Sequence, residues 1–246
     1  MLKQIANKLF FISKKRQTLS YFTDLHSHLI SDIDDGVKSI DESIKIISQL
    51  KSLGFKKIIT TPHIMSHRFP NTRKTISSGY LELINALKER DIDIELKVAA
   101  EYYYDEHFLE LIEKKELMTF GDNYILLEFS YRTKPFGIEQ TVSKLLEAGY
   151  KPILAHPERY TYYSSEAHYA NLKEMGLYFQ INSISTQGFY GKRVKKAVEK
   201  IINLGIVDFI GSDIHGQNYF DTFSKSIQSK IFKNIFKNNN IKNDYL

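Results

Sequence analysis

The sequence predicts a parallel α/β barrel, and three observations carry that prediction. β-Branched and aromatic runs alternate with helical stretches along nearly the whole chain, with no linker between them. Gly54, Gly149, Gly176 and Gly205 each follow a helical stretch and precede an apolar run, as glycines that end helices do. Short apolar runs end on His26 and His28, His63, Glu101, Glu128, His156, and Asp213 and His215. A buried strand that delivers a polar group at its C-terminal end is how a parallel barrel builds a site.

The strands this pattern predicts cover residues 21–26, 56–61, 94–100, 124–129, 152–155, 177–181 and 207–211. Helices are predicted near 40–53, 73–90, 105–115, 136–149, 165–175, 189–204 and 221–237. Ser39 followed by Glu42 has the spacing of a capping box at the first helix. Seven β/α units without a break argue for one barrel domain over residues 21–246; an eight-stranded barrel needs one unit more. The polar residues 238–244 read as a frayed end. Residues 1–20 read as a basic amphipathic extension, with a short amphipathic helix expected over 2–16. Within it Leu2, Ile5, Leu9 and Ile12 share one face, with Lys3, Lys8, Lys14, Lys15 and Arg16 elsewhere. That segment either packs on the domain or frays, or it contacts an anionic membrane, a partner or a second subunit in a homo-oligomer.

Composition narrows the classes. A chain of 246 residues, 42% hydrophobic, suits one large α/β domain. No run approaches the ~20 apolar residues of a transmembrane segment. The N-terminus lacks an apolar run with a small-residue cleavage site, which points to the cytoplasm. There are no cysteines, which excludes disulfides, thiolate zinc sites and any cysteine nucleophile. The net charge of +5 comes without a recognition helix or stacking motif, so no nucleic acid partner is indicated. There is neither a P-loop nor a GxGxxG fingerprint.

The polar residues at the strand ends carry the chemistry. His26 and His28 are two apart on a strand, so the alternation of side chains turns both to one face; Asp213 and His215 repeat that spacing. His-x-His alone is unspecific, and a lone strand-end His or Glu is commonly just a satisfied polar group. Converging at one barrel mouth, imidazole and carboxylate make a site for divalent metal, and the spacing does not choose among manganese, iron and zinc. Metal lowers the pKa of bound water from 15.7 toward ~7, which supplies hydroxide near neutral pH.

The sequence also resembles a family. Asp24-Leu25-His26-Ser27-His28 and Ile33-Asp34-Asp35-Gly36-Val37-Lys38-Ser39 are similar to the opening of the manganese-dependent bacterial tyrosine phosphatases of the PHP superfamily, the CpsB/CapC type associated with capsule and exopolysaccharide synthesis. The resemblance continues through Thr61-Pro62-His63, Ala100-Glu101-Tyr102-Tyr103 and Leu127-Glu128-Phe129-Ser130. It ends with Leu154-Ala155-His156-Pro157-Glu158-Arg159-Tyr160 and Gly211-Ser212-Asp213-Ile214-His215. These motifs run in family order over about residues 22–216, and the His156 to Tyr160 run is the most diagnostic.

The resemblance implies a distorted (β/α)7 TIM-like barrel, the PHP fold, with three divalent metal ions, manganese foremost. It places His26, His28, Glu101 and Asp213 on one ion. Glu101 bridges to a second, held also by Glu128 and His156. Asp35, His63 and His215 hold the third. It assigns Arg159 to the substrate phosphate, and Asp35, Glu101 and Arg159 to catalysis. The implied reaction is hydrolysis of phosphotyrosine by metal-activated hydroxide, on a phosphotyrosine protein such as a bacterial tyrosine kinase that controls polysaccharide export. A phenolate leaving group, with a pKa of about 10, needs less protonation than an alkoxide. Two alternatives stand beside it: a PHP phosphoesterase for small molecules such as histidinol phosphate, and a non-catalytic metal-stabilised module that binds a kinase tail.

The chain departs from the family in one place that bears on substrate. His215 is followed by Gly216-Gln217-Asn218-Tyr219, where relatives often carry a second arginine. Either the grip is weaker, or Arg68, Arg73 or Lys192 supplies it. Ser31-Asp32 also replaces a Pro-Gly before the Asp34-Asp35-Gly36 turn, which changes the loop and not the ligands. His67, His107 and His168 fall outside the motifs, with His67 and Arg68 placed to edge the pocket. Asn182 either hydrogen-bonds the cluster or caps its strand. Tyr102, Tyr103, Tyr104, Tyr160, Tyr162 and Tyr163 either sandwich a substrate ring at the mouth or pack under loops.

Overall fold

The computed structural model describes residues 20–246, so the expectations for the segment 2–16 lie outside the described residues. Nine strands occur: β1 (Thr23–Ser27), β2 (Lys57–Thr60), β3 (His63–Ile64), β4 (Glu95–Val98), β5 (Glu101–Tyr103), β6 (Tyr124–Glu128), β7 (Lys151–Ala155), β8 (Tyr178–Asn182) and β9 (Phe209–Ile214). They pair in parallel in the order β3-β5-β6-β7-β8-β9-β1-β2-β4. The helices between them are α1 (Ile40–Leu53), α2 (Arg73–Glu89), α3 (Glu106–Lys114), α4 (Ile138–Glu147), α5 (Glu166–Glu174), α6 (Lys192–Asn203), α7 (Gln217–Ser226) and α8 (Lys230–Asn238).

The two ends of that order are the same two pieces of chain. β3 continues β2 after Thr61-Pro62, and β4 leads into β5 through Ala99-Ala100. The first halves pair with each other beside β1, and the second halves pair with each other beside β6. Across the break Ala99 N–H donates to Thr60 O at 3.0 Å and Glu101 N–H donates to Pro62 O at 3.0 Å. Two bent strands therefore close the sheet into a distorted seven-stranded barrel. Pro62 has no N–H to give a ladder, which fits its place at the bend.

Two apolar layers hold the barrel. Inside, Leu25, Ile59, Ala99, Leu126, Ile153, Ala155 and Phe209 form a plug in its lower half. Outside, the opposite strand faces pack with Ile47, Leu83, Phe108, Val142, Leu172 and Ile201 of the helices. The plug leaves the C-terminal mouth for polar groups. Burial of this kind stabilises by roughly 25 cal/mol per Å² of apolar surface.

Three expectations need correction. The helix expected over 221–237 is two, α7 and α8, because Ser229 caps a new helix by accepting from Phe232 N–H at 3.1 Å. The runs 56–61 and 94–100 hold β2 and β4 as expected, but the chain forms two further strands just beyond them, β3 and β5, that were not expected. The polar end is not frayed. Asn243 is fully buried and bonds Ile210 N–H, Ile210 O and Thr23 O, tying β1 to β9. Asp244 Oδ1 accepts from the N–H groups of Phe22 and Thr23. At the first helix, Ser39 accepts from Glu42 N–H as its spacing predicts, while the Glu42 carboxylate turns to Lys38 N–H instead of Ser39.

Candidate metal centre

The eight strand-end residues singled out in the sequence, and Asp35 from the turn after β1, converge at the C-terminal mouth. His26 Nε2 lies 3.1 Å from Glu101 Oε2 and 3.2 Å from Asp213 Oδ1. His28 Nε2 lies 3.4 Å from the same Glu101 oxygen. The other Glu101 oxygen is 3.2 Å from His156 Nε2, which is 3.6 Å from Glu128 Oε1. Asp35 Oδ1 lies 3.4 Å from both His63 Nε2 and His215 Nε2. His63 Nδ1 faces Glu101 at 3.2 Å, so that ring joins two neighbouring groups. Asp35 is the most exposed of the set, with a side chain 37% accessible at the rim.

The backbone bends to make this convergence. Leu25 faces the inner plug, so strand alternation would send His26 outward. His26 instead takes φ +72°, beside a register shift between β1 and β9, and turns inward too. His156 repeats the device after the inward Ala155, with φ +35°. Asp213 has φ +51°. Non-glycine residues rarely take positive φ, and such strain gathers at functional sites. The pairs His26/His28 and Asp213/His215 thus meet as expected, but through a bulge and strand ends, and not through simple alternation.

The residues fit divalent ions on three grounds. Two donors bound to one ion at ~2.1 Å sit about 3.0–3.4 Å apart, which is the spacing found here. His26 Nε2, His28 Nε2, His63 Nδ1 and Glu101 Oε2 are buried without a hydrogen-bond partner. His26 Nδ1 pairs with Gln180 Oε1 at 2.8 Å, His28 Nδ1 with Asp34 Oδ2 at 2.8 Å, and His215 Nδ1 with Asp213 O at 2.9 Å. Each pairing needs the proton on Nδ1 and leaves the Nε2 lone pair for a metal. Among the described residues the groups able to hold an ion overlap: His28-Asp35-His63-His215, His26-His28-Glu101, His26-His156-Asp213 and His63-Glu101-Glu128.

The electrostatics agree. Burial opposes charge on Glu101 and Asp213, yet the facing His26 holds both carboxyls well below their usual range. Burial, then the Glu101 charge, pushes Glu128 up to about 8. Burial, then the Arg159 charge, lowers His156 to about 4, and burial lowers His63 to about 4, so both rings offer lone pairs at neutral pH. Burial opposes charge on His26 and His28 as well, yet Glu101 pushes His26 well above its usual range and Asp34 pushes His28 up to about 10, so protons on these two rings balance buried carboxylate charge that a bound cation would balance in their place.

Above the cluster opens a cavity of about 660 Å³. Arg159 lines it, with its guanidinium stacked 4.3 Å from the Tyr131 ring and 4.1 Å from the Tyr190 ring. Its Nη1 lies 3.3 Å from Asp213 Oδ2. Of the proposed replacements for a second arginine, Arg68 lines the cavity and leans on Asp35. Arg73 donates to Glu116 O and Leu117 O, away from the mouth, and Lys192 is not among the lining residues. His67 lines the cavity as expected, while His107 and His168 stand apart.

Of the six tyrosines, Tyr103 alone lines the cavity. Tyr102, Tyr160 and Tyr163 are buried in the outer core; Tyr104 and Tyr162 bond loop carbonyls. The packing reading holds for those five. Asn182 bonds the cluster, donating to Asp213 Oδ2 at 2.5 Å. Sequence reasoning missed Tyr131, whose hydroxyl donates to Glu128, and Tyr190, which donates to Asp213 Oδ2 at 3.0 Å. It missed Arg132 and Tyr219 on the cavity wall. It also missed Gln180 and Asp34 behind the histidines, although the paired acids Asp34-Asp35 were a signal.

A closed parallel barrel with a His/carboxylate cluster at the C-terminal ends of its strands defines an α/β-barrel metal-centre protein. The chain belongs to the CpsB/CapC family of the PHP superfamily: the family model described as capsular polysaccharide synthesis, CpsB/CapC, matches residues 22–241. The tyrosine-protein phosphatase CpsB of Streptococcus pneumoniae is 32% identical over 231 residues, covering 88% of this chain and 95% of the relative. The tyrosine-protein phosphatase YwqE of Bacillus subtilis is 28% identical over 194 residues, covering 78% of this chain and 76% of the relative. A crystal structure described as YwqE from Bacillus subtilis and CpsB from Streptococcus pneumoniae, metal-dependent tyrosine phosphatases, superposes with a TM-score of 0.75 at 25% identity. That match covers 89% of this chain and 96% of the other.

Proposed function

We propose that this chain is a metal-dependent protein-tyrosine phosphatase. The observation that carries the reading is the cluster itself: nine imidazole and carboxylate ligands with lone pairs turned inward, under a cavity lined by one clamped arginine. The relatives named as tyrosine-protein phosphatases support it. We assign His26, His28, Glu101 and Asp213 to one ion, Glu101, Glu128 and His156 to a second, and Asp35, His63 and His215 to a third. Manganese is the metal we expect because the family suggests it; the donors, imidazole and carboxylate without thiolate, suit iron and zinc as well.

Such ions, when bound, supply hydroxide at neutral pH and neutralise the phosphoryl oxygens. The chain does the rest. Glu101 offers one oxygen to each of two ligand groups and so fixes their spacing. Arg159 is pinned by two tyrosine rings and presents a planar fork to two phosphate oxygens. Tyr103 and Tyr219 line the wall on which the substrate's phenyl ring would rest. The phenolate leaves with little need of a proton donor. The substrate in the cell is then a phosphotyrosine protein, a bacterial tyrosine kinase being the partner the family suggests, and the cytoplasm is the compartment that partner implies. Among the described residues no helix is long and apolar enough to cross a membrane.

Turnover of a phosphotyrosine peptide against histidinol phosphate, by manganese-loaded protein, tests the substrate class. The reading predicts that kcat/KM favours the peptide; a preference for histidinol phosphate would contradict it.

A further inference from the structure

Behind the cluster runs a chain of side-chain hydrogen bonds whose direction only one arrangement satisfies. Asp213 Oδ2 accepts from Asn182 Nδ2 at 2.5 Å. A carboxylate only accepts, so Asn182 must present its amide nitrogen there and its oxygen to Gln180. Gln180 Nε2 duly donates to Asn182 Oδ1 at 2.9 Å, which leaves Gln180 Oε1 facing His26 Nδ1 at 2.8 Å. An amide oxygen cannot donate, so His26 must carry its proton on Nδ1. The lone pair then sits on Nε2, the atom that faces Glu101 and Asp213 Oδ1.

The same bonds sort the two Asp213 oxygens. Asn182, Tyr190 and Arg159 all donate to Oδ2, and Oδ1 is left for the cluster. The backbone makes room for the arrangement. A Cβ on Gly211 would lie 2.2 Å from Gln180 Nε2, so glycine there gives Gln180 its path across the barrel interior. Gln180 and Asn182 are fully buried and sit on alternate positions of β8, both turned inward.

We propose that Gln180 and Asn182 are positioning residues, a directional relay from Asp213 to His26 that sets two of the first ion's four ligands at once. The proposal rests on the metal-centre reading above. It is tested by titrating manganese into the metal-stripped full chain by calorimetry, with Gln180→Met and Gln180→Glu beside the wild type. Gln180→Met keeps the bulk and removes the acceptor for His26; it should weaken one ion about 10–100-fold and leave the others unchanged. Gln180→Glu restores the acceptor for His26 but not the donor to Asn182, so it should recover part of that loss, which a merely structural role would not produce.

Wild-type affinity in Gln180→Met, or equal weakening in both variants, would overturn the relay. Should Gln180→Met fail to fold, Asn182→Ala serves instead. It removes the group that orients Gln180 and should weaken the same ion, and unchanged affinity there would overturn the relay as well. A wild-type chain that bound no manganese would refute the metal-centre reading itself, and the relay with it.

Discussion

Arg159 shows how a single side chain acquires a role from its surroundings. Two tyrosine rings stack on its guanidinium, and Asp213 accepts a hydrogen bond from it. Lysine would keep the charge but lose the planar stack and the two-pronged grip. Arg159→Ala should therefore lower kcat/KM for a phosphotyrosine peptide by about 10–100-fold, the worth of hydrogen bonds to a charged group. Arg159→Lys should recover little of it, as steady-state kinetics would show; full recovery would mean that charge alone matters.

A residue far from the cluster contributes to the alkaline limit. Tyr169 is buried and donates to Tyr163 O at 3.0 Å. Burial, then the Glu158 charge, raises its phenol from 10.0 to about 12. Between those values the unfolded chain loses the proton and the folded chain keeps it, so stability falls as pH rises from 10 toward 12. Below pH 10 both states hold the proton and the group adds no slope. Tyr169→Phe should lower stability by about 1 kcal/mol near neutrality, for the lost hydrogen bond. It should also flatten the alkaline decline, read as urea midpoints across that range.

At the scale of elements, the C-terminal residues act as a clip under the seam between the first and last strands. Asn243 satisfies three backbone groups of β1 and β9, and the Leu246 carbonyl accepts from Lys57 Nζ at 2.8 Å. Asn243→Ala would strand those groups in a dry site, at a cost of about 3 kcal/mol. Denaturant unfolding should show that loss, with the folded fraction keeping its activity because the mouth is at the barrel's other end.

Not all of this was open to sequence reading. The alternation of strands and helices and their glycine ends reveal themselves through local periodicity. The breaks at Pro62 and at Ala99-Ala100 do not, because they depend on which neighbour each half-strand pairs with. The role of Asn243 was hidden for the same reason. Its partners lie 33 and 220 residues away in the chain, and a polar tail looks frayed until they are known.

At the scale of the whole molecule, the barrel gathers ligands spread from His26 to His215 into one centre. The candidate ligands were legible because imidazole and carboxylate at strand ends are few and chemically distinct. The supports were not: Gln180, Tyr131 and Tyr190 are ordinary residues until the fold sets them against His26, Glu128 and Asp213. The inward turn of His26 and His156 was equally invisible, since no residue pattern announces positive φ at a histidine.

The central claim is that this centre hydrolyses phosphotyrosine only with metal in place. The most direct measurement is hydrolysis of a phosphotyrosine peptide by metal-stripped protein, with and without added manganese, beside a His156→Ala control. No turnover is expected without metal, with turnover restored by manganese and a large loss in the variant. Full activity in the metal-stripped protein, or no activity with any divalent metal, would contradict it.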